Sequence, residues 1–343
     1  MKDEGGRRKA MYHVVTGAAG FIGSNLVKAL NERGLADILA VDDFKQGGKS
    51  ANLADCKVAE RIDKDEFVRK LEAGAFKGAL AAILHQGACS DTTNPDRRYM
   101  MENNCRYSER LLDCCAGGKV PFIYASSAAI YGASREFREA PECEAPLNVY
   151  GESKLQFDRL VRRRRKEQAA QVVGLRYFNV YGDRESHKGR MASVAYHFFN
   201  QYRESGRVRL FTGSGGYGDG DQRRDFVSVE DCVKANLYFL DHPGKAGIFN
   251  VGTGHAQSFN DVAVATVNAC RKARSEAPLA LAAMRERGII QYIAFPEDLK
   301  GSYQSYTQAD VSALRAAGYD APFLTVEQGV ARYCQRLLQG VPA

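Results

Sequence analysis

A chain of 343 residues with 45 % apolar and 26 % charged side chains has a globular balance, long enough for one large or two medium domains. No stretch approaches 18 uninterrupted apolar residues, which argues against a transmembrane helix. The nine cysteines form no C-x-x-C, and Cys114 and Cys115 are adjacent, so neither a disulfide framework nor a metal site is expected; they read as reduced, mostly buried residues. The net charge of +7 suits an enzyme whose ligands carry phosphates.

In chain order, "MKDEGGRRKA" (1–10) is a polar leader with no hydrophobic stretch of a secretory kind, so it reads as disordered and the protein as cytoplasmic. "MYHVVTG" is a strand, Ile22 to Arg33 has helical spacing, and "DILAVDD" is a strand ending in acids. "ALAAILHQGA" and "VPFIYASS" are two further buried strands, separated by a helical stretch around Asn103 to Cys115. "QVVGLRYFNVYG" adds another strand. This rhythm predicts a parallel sheet covered by helices on both faces. "RRRRK", Arg162 to Lys166, reads as the solvated end of a helix running on from Gly151, since no aromatic interleaving accompanies it; no nucleic-acid partner is expected. "FTGSGGYGDGDQRRDFV" reads as a mobile polar loop over a binding site.

The strand at "MYHVVT" runs into Gly17, Gly20 and Gly23 at G-x-x-G-x-x-G spacing. The first glycine permits a tight turn, the second lets backbone approach a pyrophosphate, and the third allows close helix packing. Strand before, helix after and Asp42 about 20 residues on make a dinucleotide fingerprint of the Rossmann kind. An acid at that place favours NAD, whereas Lys45, Lys49 and Lys64 are placed to neutralise a 2′-phosphate; the residues alone leave NAD and NADP open. The expected fold is α/β, a Rossmann-type doubly wound parallel sheet with a smaller C-terminal α/β substrate lobe. Residues 11–181 would form mainly the first domain and 182–343 mainly the second, with segments interleaved.

Tyr150 and Lys154 stand four apart, so on one helix they share a face. An ammonium beside a phenol lowers its pKa and lets it act as a general base, and Ser127 at a strand end is placed to hydrogen-bond a reacting alcohol. The three motifs together resemble the extended short-chain dehydrogenase/reductase superfamily that modifies nucleotide sugars. "HQGACSDTT", "PLNVYGESK", "RYFNVYGDRESHKGRMASVAYH" and "KGSYQSYTQADVSALRAAGYD" narrow the resemblance to the bacterial ADP-glyceromanno-heptose 6-epimerases, from about Met11 to the C-terminus.

That resemblance implies a tightly held NADP, with NAD the less favoured choice, and an ADP-heptose substrate serving lipopolysaccharide core synthesis. Phe21 and Ile22 would lie at the pyrophosphate turn, Asp42 and Asp43 at the adenosine end, and Lys49 and Lys64 near the ribose phosphate. Gln86, Gly87, Ala88, Cys89, Ser90, Asn103 and Val180 would line the cofactor channel, with Lys154 on the nicotinamide ribose. Asn179, Arg190, His197, Phe211, Thr212, Gly213, Ser214, Arg224 and Tyr303 would contact substrate, Arg224 gripping the diphosphate; Arg223 is its rival. The family usually has asparagine at Asp43, glutamate at Gln86 and serine at Arg190, and the glycine-rich insertion before Arg224 also departs from it. A homo-oligomer, pentamer-based, and no membrane association are further implied.

Inverting a carbinol carbon by way of a ketone requires proton exchange on two opposed faces, which one phenol does not serve comfortably. The resemblance puts Tyr150 in the first role and Lys188 in the second. By position alone Lys188 is more often a phosphate clamp or surface charge. Two rivals stand beside this reading. One is another nucleotide-sugar 4-epimerase or 4,6-dehydratase, which shares the glycines and Y-x-x-x-K without needing Lys188; a dehydratase usually carries an acid pair where Ala128 and Ala129 stand. The other is a dinucleotide-sensing protein without catalysis, which would not keep Ser127, Tyr150 and Lys154 together.

Overall fold

Five residues from Tyr12 to Thr16 form strand β1, and its Val14 and Val15 are wholly buried although they point to opposite faces. A strand buried on both faces belongs inside a parallel sheet, and this one does. The computed structural model describes residues 11–45, 48–164, 170–296 and 304–340. The leader 1–10, Arg165, Lys166 and Tyr303 lie outside the described residues.

β2 (Ile38–Asp42), β3 (Glu60–Asp63), β4 (Leu80–His85), β5 (Phe122–Ser127) and β6 (Val172–Tyr177) join β1 and the later strand β11 (Gly247–Val251). Their order in the seven-stranded sheet is β11-β6-β5-β4-β1-β2-β3, with β1–β2, β1–β4, β2–β3 and β4–β5 all parallel. The order reverses beside β1, the switch point at which doubly wound sheets bind ligands. On one face Val14, Val41, Ile83 and Phe122 pack against Phe67, Leu111 and Phe157 from three helices. Each such side chain contributes about 1.5–3 kcal/mol by leaving water.

Sequence and structure part in two places. "QVVGLRYFNVYG" forms two strands, not one: the chain leaves the main sheet at Phe178, whose N–H donates to the Val251 carbonyl, and β7 (Asn179–Tyr181) pairs elsewhere. The helical stretch expected around Asn103 to Cys115 is present, as a π-helical turn, Met101–Arg106, that continues into an α-helix over Tyr107–Gly118. The segment 212–222, expected to be a mobile loop, is tied by hydrogen bonds: the Gly213 amide donates to Asp219, and the Gln222 side chain to the Thr212 carbonyl and the Ser214 hydroxyl.

The remaining strands are short: β8 (Val208–Phe211), β9 (Arg223–Arg224), β10 (Phe226–Ser228), β12 (Gln257–Ser258) and β13 (Ile290–Ile293). They pair as β10–β7, β12–β9 and β13–β8. The chain divides into two compact units, each of three segments. The first comprises Met1–Ile130, Asn148–Arg176 and Val233–Phe249, and the second Tyr131–Leu147, Tyr177–Cys232 and Asn250–Ala343. The core of the second is aromatic and aliphatic, with Phe198, Phe199, Val262, Val267, Val330 and Tyr333 among its buried members. Among the described residues all nine cysteines are free thiols, five buried and four half-buried, and no helix is long and apolar enough to cross a membrane.

Candidate active site

In the first unit the glycine motif forms a turn between β1 and the helix Phe21–Glu32. Gly17 has φ +63, and a Cβ there would sit 2.7 Å from the Gly87 nitrogen; a Cβ on Gly23 would sit 2.0 Å from the Gly17 carbonyl oxygen. Neither position accepts a side chain, so turn and helix approach as closely as backbone allows. The helix starts at Gly20 with no side-chain cap and no acid in its first turn. Its electropositive end therefore receives no anion from its own first turn, and a dinucleotide pyrophosphate fits it.

Asp42, at the end of β2, accepts from the Ala19 amide at 2.8 Å through one oxygen. Its other oxygen takes the Lys49 ammonium and the Asp43 amide, each at 2.7 Å. Lys64 donates to Asn103 at 2.6 Å. Gln86 and Gly87 follow β4 directly, their amides bonded to the Thr16 carbonyl and hydroxyl at 3.1 Å each. Cys89 is held at both backbone groups by the Asn104 side chain, which also donates to Ser153. Most of the expected cofactor residues thus converge on the carboxyl ends of β1, β2 and β4.

Ser127 closes β5, and Tyr150 and Lys154 lie on the helix Val149–Arg164. Ser127 lies beside the Tyr150 phenol and acts to hold its pKa down. Lys154 is buried, donates to the Ala125 carbonyl at 2.9 Å, and is pushed down by burial to about 8. The expectation that Lys154 lowers the phenol's pKa meets a different balance: burial raises Tyr150, and the Ser127 hydrogen bond is what opposes the rise. Desolvation dominates because the ring is packed into the unit while the ammonium is engaged by a carbonyl. The helix is pinned to the sheet by Asp158, which accepts from Tyr124, Ser126 and Arg176 at 2.9–3.0 Å in a wholly buried cluster.

Sequence reasoning passed over three supports of this unit: Asp158, Asn104 and His85. His85 joins the Thr16 hydroxyl at 2.6 Å to the Ser108 hydroxyl at 2.7 Å, and burial holds its pKa down at about 3, so it is neutral. The available signal was a polar residue inside each apolar pattern, which in a buried element demands a partner.

In the second unit, Asn179 and Val180 lie on β7 in register with Phe226 and Val227 of β10, and the Asn179 amide donates to the Asp225 carbonyl. Arg224 is buried, stacked 5.8 Å above the Phe259 ring, whereas Arg223 is exposed and donates to the Ala256 carbonyl. Phe211 to Ser214 follow β8 into the tied segment. Lys188 and Arg190 lie in the turn Ser186–Met191, and His197 on the helix Val194–Ser205. Lys188 is half-buried, and burial lowers its pKa against the opposing charge of Glu185.

A glycine turn at a sheet switch point, with a Ser–Tyr contact and a buried lysine on the next helix, defines a dinucleotide-dependent enzyme that works on a carbinol. The chain belongs to the NAD dependent epimerase/dehydratase family, whose model matches residues 13–252, and within it to the ADP-L-glycero-D-manno-heptose-6-epimerases. It is 62 % identical over 330 residues to the curated ADP-L-glycero-D-manno-heptose-6-epimerase of Thiobacillus denitrificans, covering 96 % of this chain and 99 % of that one. The crystal structure of the Helicobacter pylori ADP-L-glycero-D-manno-heptose-6-epimerase superposes with a TM-score of 0.80 at 29 % identity, covering 96 % and 97 % of the two chains. The Thermus thermophilus UDP-glucose 4-epimerase, solved with NAD, gives 0.74 at 26 % identity over 96 % and 100 %. The family and the glycine cradle support a nicotinamide dinucleotide as cofactor.

Proposed function

We propose that this chain converts ADP-D-glycero-D-manno-heptose to ADP-L-glycero-D-manno-heptose by inverting C6, with NADP as its tightly held cofactor. The observation that carries the reading is Ser127 beside the Tyr150 phenol, with Lys154 buried on the same helix, in a chain alike over nearly its whole length to an enzyme of that name. The first unit serves as the dinucleotide domain and the second supplies substrate contacts. When bound, the nicotinamide supplies reversible hydride transfer at C6.

The chain's own residues handle the protons. Ser127 Oγ orients the C6 hydroxyl, and Tyr150 Oη takes its proton as C6 becomes a ketone. Lys154 places a positive charge that favours the Tyr150 phenolate needed to take that proton, and holds the nicotinamide ribose. The ketone then turns, and Lys188 Nζ donates the proton that completes the epimeric alcohol; burial lowers its pKa, which eases that donation. Arg224, Asn179 and His197 bind the ADP-heptose, with the Arg224 guanidinium on the diphosphate. Lys49 and Lys64 favour NADP. The enzyme works in the cytoplasm as a pentamer-based oligomer and feeds lipopolysaccharide core synthesis.

The test is to incubate the purified protein with ADP-D-glycero-D-manno-heptose and follow C6 by NMR. The L-glycero epimer is expected to accumulate. Substrate that stays unchanged while the protein carries its dinucleotide overturns the reading.

A further inference from the structure

Three consecutive charged residues, Asp183, Arg184 and Glu185, are 6 %, 3 % and 0 % exposed, directly before the turn that carries Lys188. Arg184 also sits at φ +70, a left-handed backbone that a non-glycine residue adopts only where its surroundings insist. Glu185, the next residue, is held by three hydrogen bonds through its carboxylate. One of its carboxylate oxygens accepts from the Gly182 amide at 3.1 Å and the Ser193 hydroxyl at 2.7 Å, and the other from the Ser193 amide at 2.5 Å. A single side chain therefore ties together both ends of the segment 182–193. Its carbonyl accepts from the Lys188 amide at 2.9 Å, so the lysine is rooted on the same residue.

We propose that Glu185 is a positioning residue for Lys188: its carboxylate clamps both ends of the turn that presents the lysine, and its carbonyl anchors the lysine's own amide. The proposal rests on the acid/base reading of Lys188 and adds to it how that lysine is kept in working range. Burial pushes Lys188 down and Glu185 opposes it; reciprocally, burial pushes Glu185 up, while the Ser193 and Gly182 donors and Lys188 hold it down. The other groups around the carboxylate are already engaged or neutral. Asp183 pairs with Arg336 from the helix Val326–Leu338, Glu230 pairs with Arg332, and the Tyr333 hydroxyl faces Glu185 without a well-formed hydrogen bond.

The test reads the lysine directly and needs no substrate. Wild type and Glu185→Gln are labelled with an amine-acylating reagent across pH 6 to 11, and Lys188 modification is followed by peptide mass spectrometry. The amide keeps the side chain's size but removes its charge and turns an N–H donor towards the Gly182 or Ser193 amide, so the clamp loosens and the Lys188 midpoint is expected to move by about one pH unit. Equal midpoints in the two proteins overturn the proposal. Should Glu185→Gln not fold, Lys188→Met serves in its place. Without its countercharge Glu185 is pushed further up, so the melting temperature of Lys188→Met falls behind wild type at pH 8 and recovers towards pH 5; an offset independent of pH overturns the proposal. Because neither readout involves turnover, failure of the epimerase reading and failure of this one are separately visible.

Discussion

The Asp42 carboxylate accepts a hydrogen bond from the Ala19 amide at 2.8 Å, tying the end of β2 to the middle of the glycine turn. With Lys49 on its second oxygen, the acid links the glycine turn, the end of β2 and the segment that follows it. Asp42→Ala leaves a buried amide and an ammonium without their acceptor, and is expected to cost about 2–4 kcal/mol. Urea denaturation reads the loss, and the dinucleotide released on heating should fall with it. Asp43→Asn removes a negative charge from the same region, so the ratio of NADP to NAD affinity is expected to rise. An unchanged ratio would count against NADP recognition there.

The Ser127–Tyr150–Lys154 group predicts separable effects. Tyr150→Phe is expected to lower kcat by about 10²–10⁴ with little change in Tm. Ser127→Ala removes the hydrogen bond that opposes the burial-driven rise in the phenol's pKa, so the acidic limb of the rate profile should move to higher pH. Lys154 is held at about 8 in the folded chain against 10.5 when unfolded, so the unfolded state binds more protons between those values. Stability of the cofactor-free protein should therefore rise from pH 8 to 10 through this group. Lys154→Met should lose that rise, which a Tm series across pH checks.

His85 makes a prediction of the same sign on the acid side. Its folded pKa of about 3 lies below the ordinary 6.5, so its neutral form stabilises above pH 6.5 and that stability is lost as pH falls towards 3. The slope from this group is about 1.4 kcal/mol per pH unit. His85→Leu should flatten that part of the urea stability curve, while being less stable at pH 7.5 because the Thr16 and Ser108 hydroxyls lose their partner.

Two glycines give a matched pair. Gly23→Ala forces a Cβ into the Gly17 carbonyl oxygen, and is expected to cost at least about 3 kcal/mol and to strip the dinucleotide. Gly117→Ala, in the helix Tyr107–Gly118 with nothing within 4 Å of the new Cβ, should be neutral or gain up to about 1 kcal/mol. Thermal melts of both variants decide the comparison.

Much of the site was legible in the residues because its signals are local. A strand, a glycine turn and a helix follow one another within about two dozen residues, and Tyr150 and Lys154 share a helix face through spacing alone. β3 and the helix Lys64–Glu72 were missed, since β3 is only four residues long and half exposed, with too little apolar pattern to announce itself. The loop at 212–222 read as mobile from its glycines, yet Asn260, far along the chain, donates to the Asp219 carbonyl and the Asp221 carboxylate and holds it.

By itself the sequence determined the α/β class, the dinucleotide turn and the pairing of a phenol with a lysine, because each depends on backbone sterics and side-chain period over short spans. Tertiary structure decided which polar groups meet: His85 between Thr16 and Ser108, Asn104 on Cys89, Asp158 under the catalytic helix, and Ser127 on Tyr150. These partners are separated by 15 to 69 residues or by whole elements, and each buried polar group takes whichever acceptor or donor packing brings within 3 Å. The direction in which Tyr150, Lys154 and Lys188 are shifted was decided there too, since burial, which no spacing reveals, is the largest cause in all three.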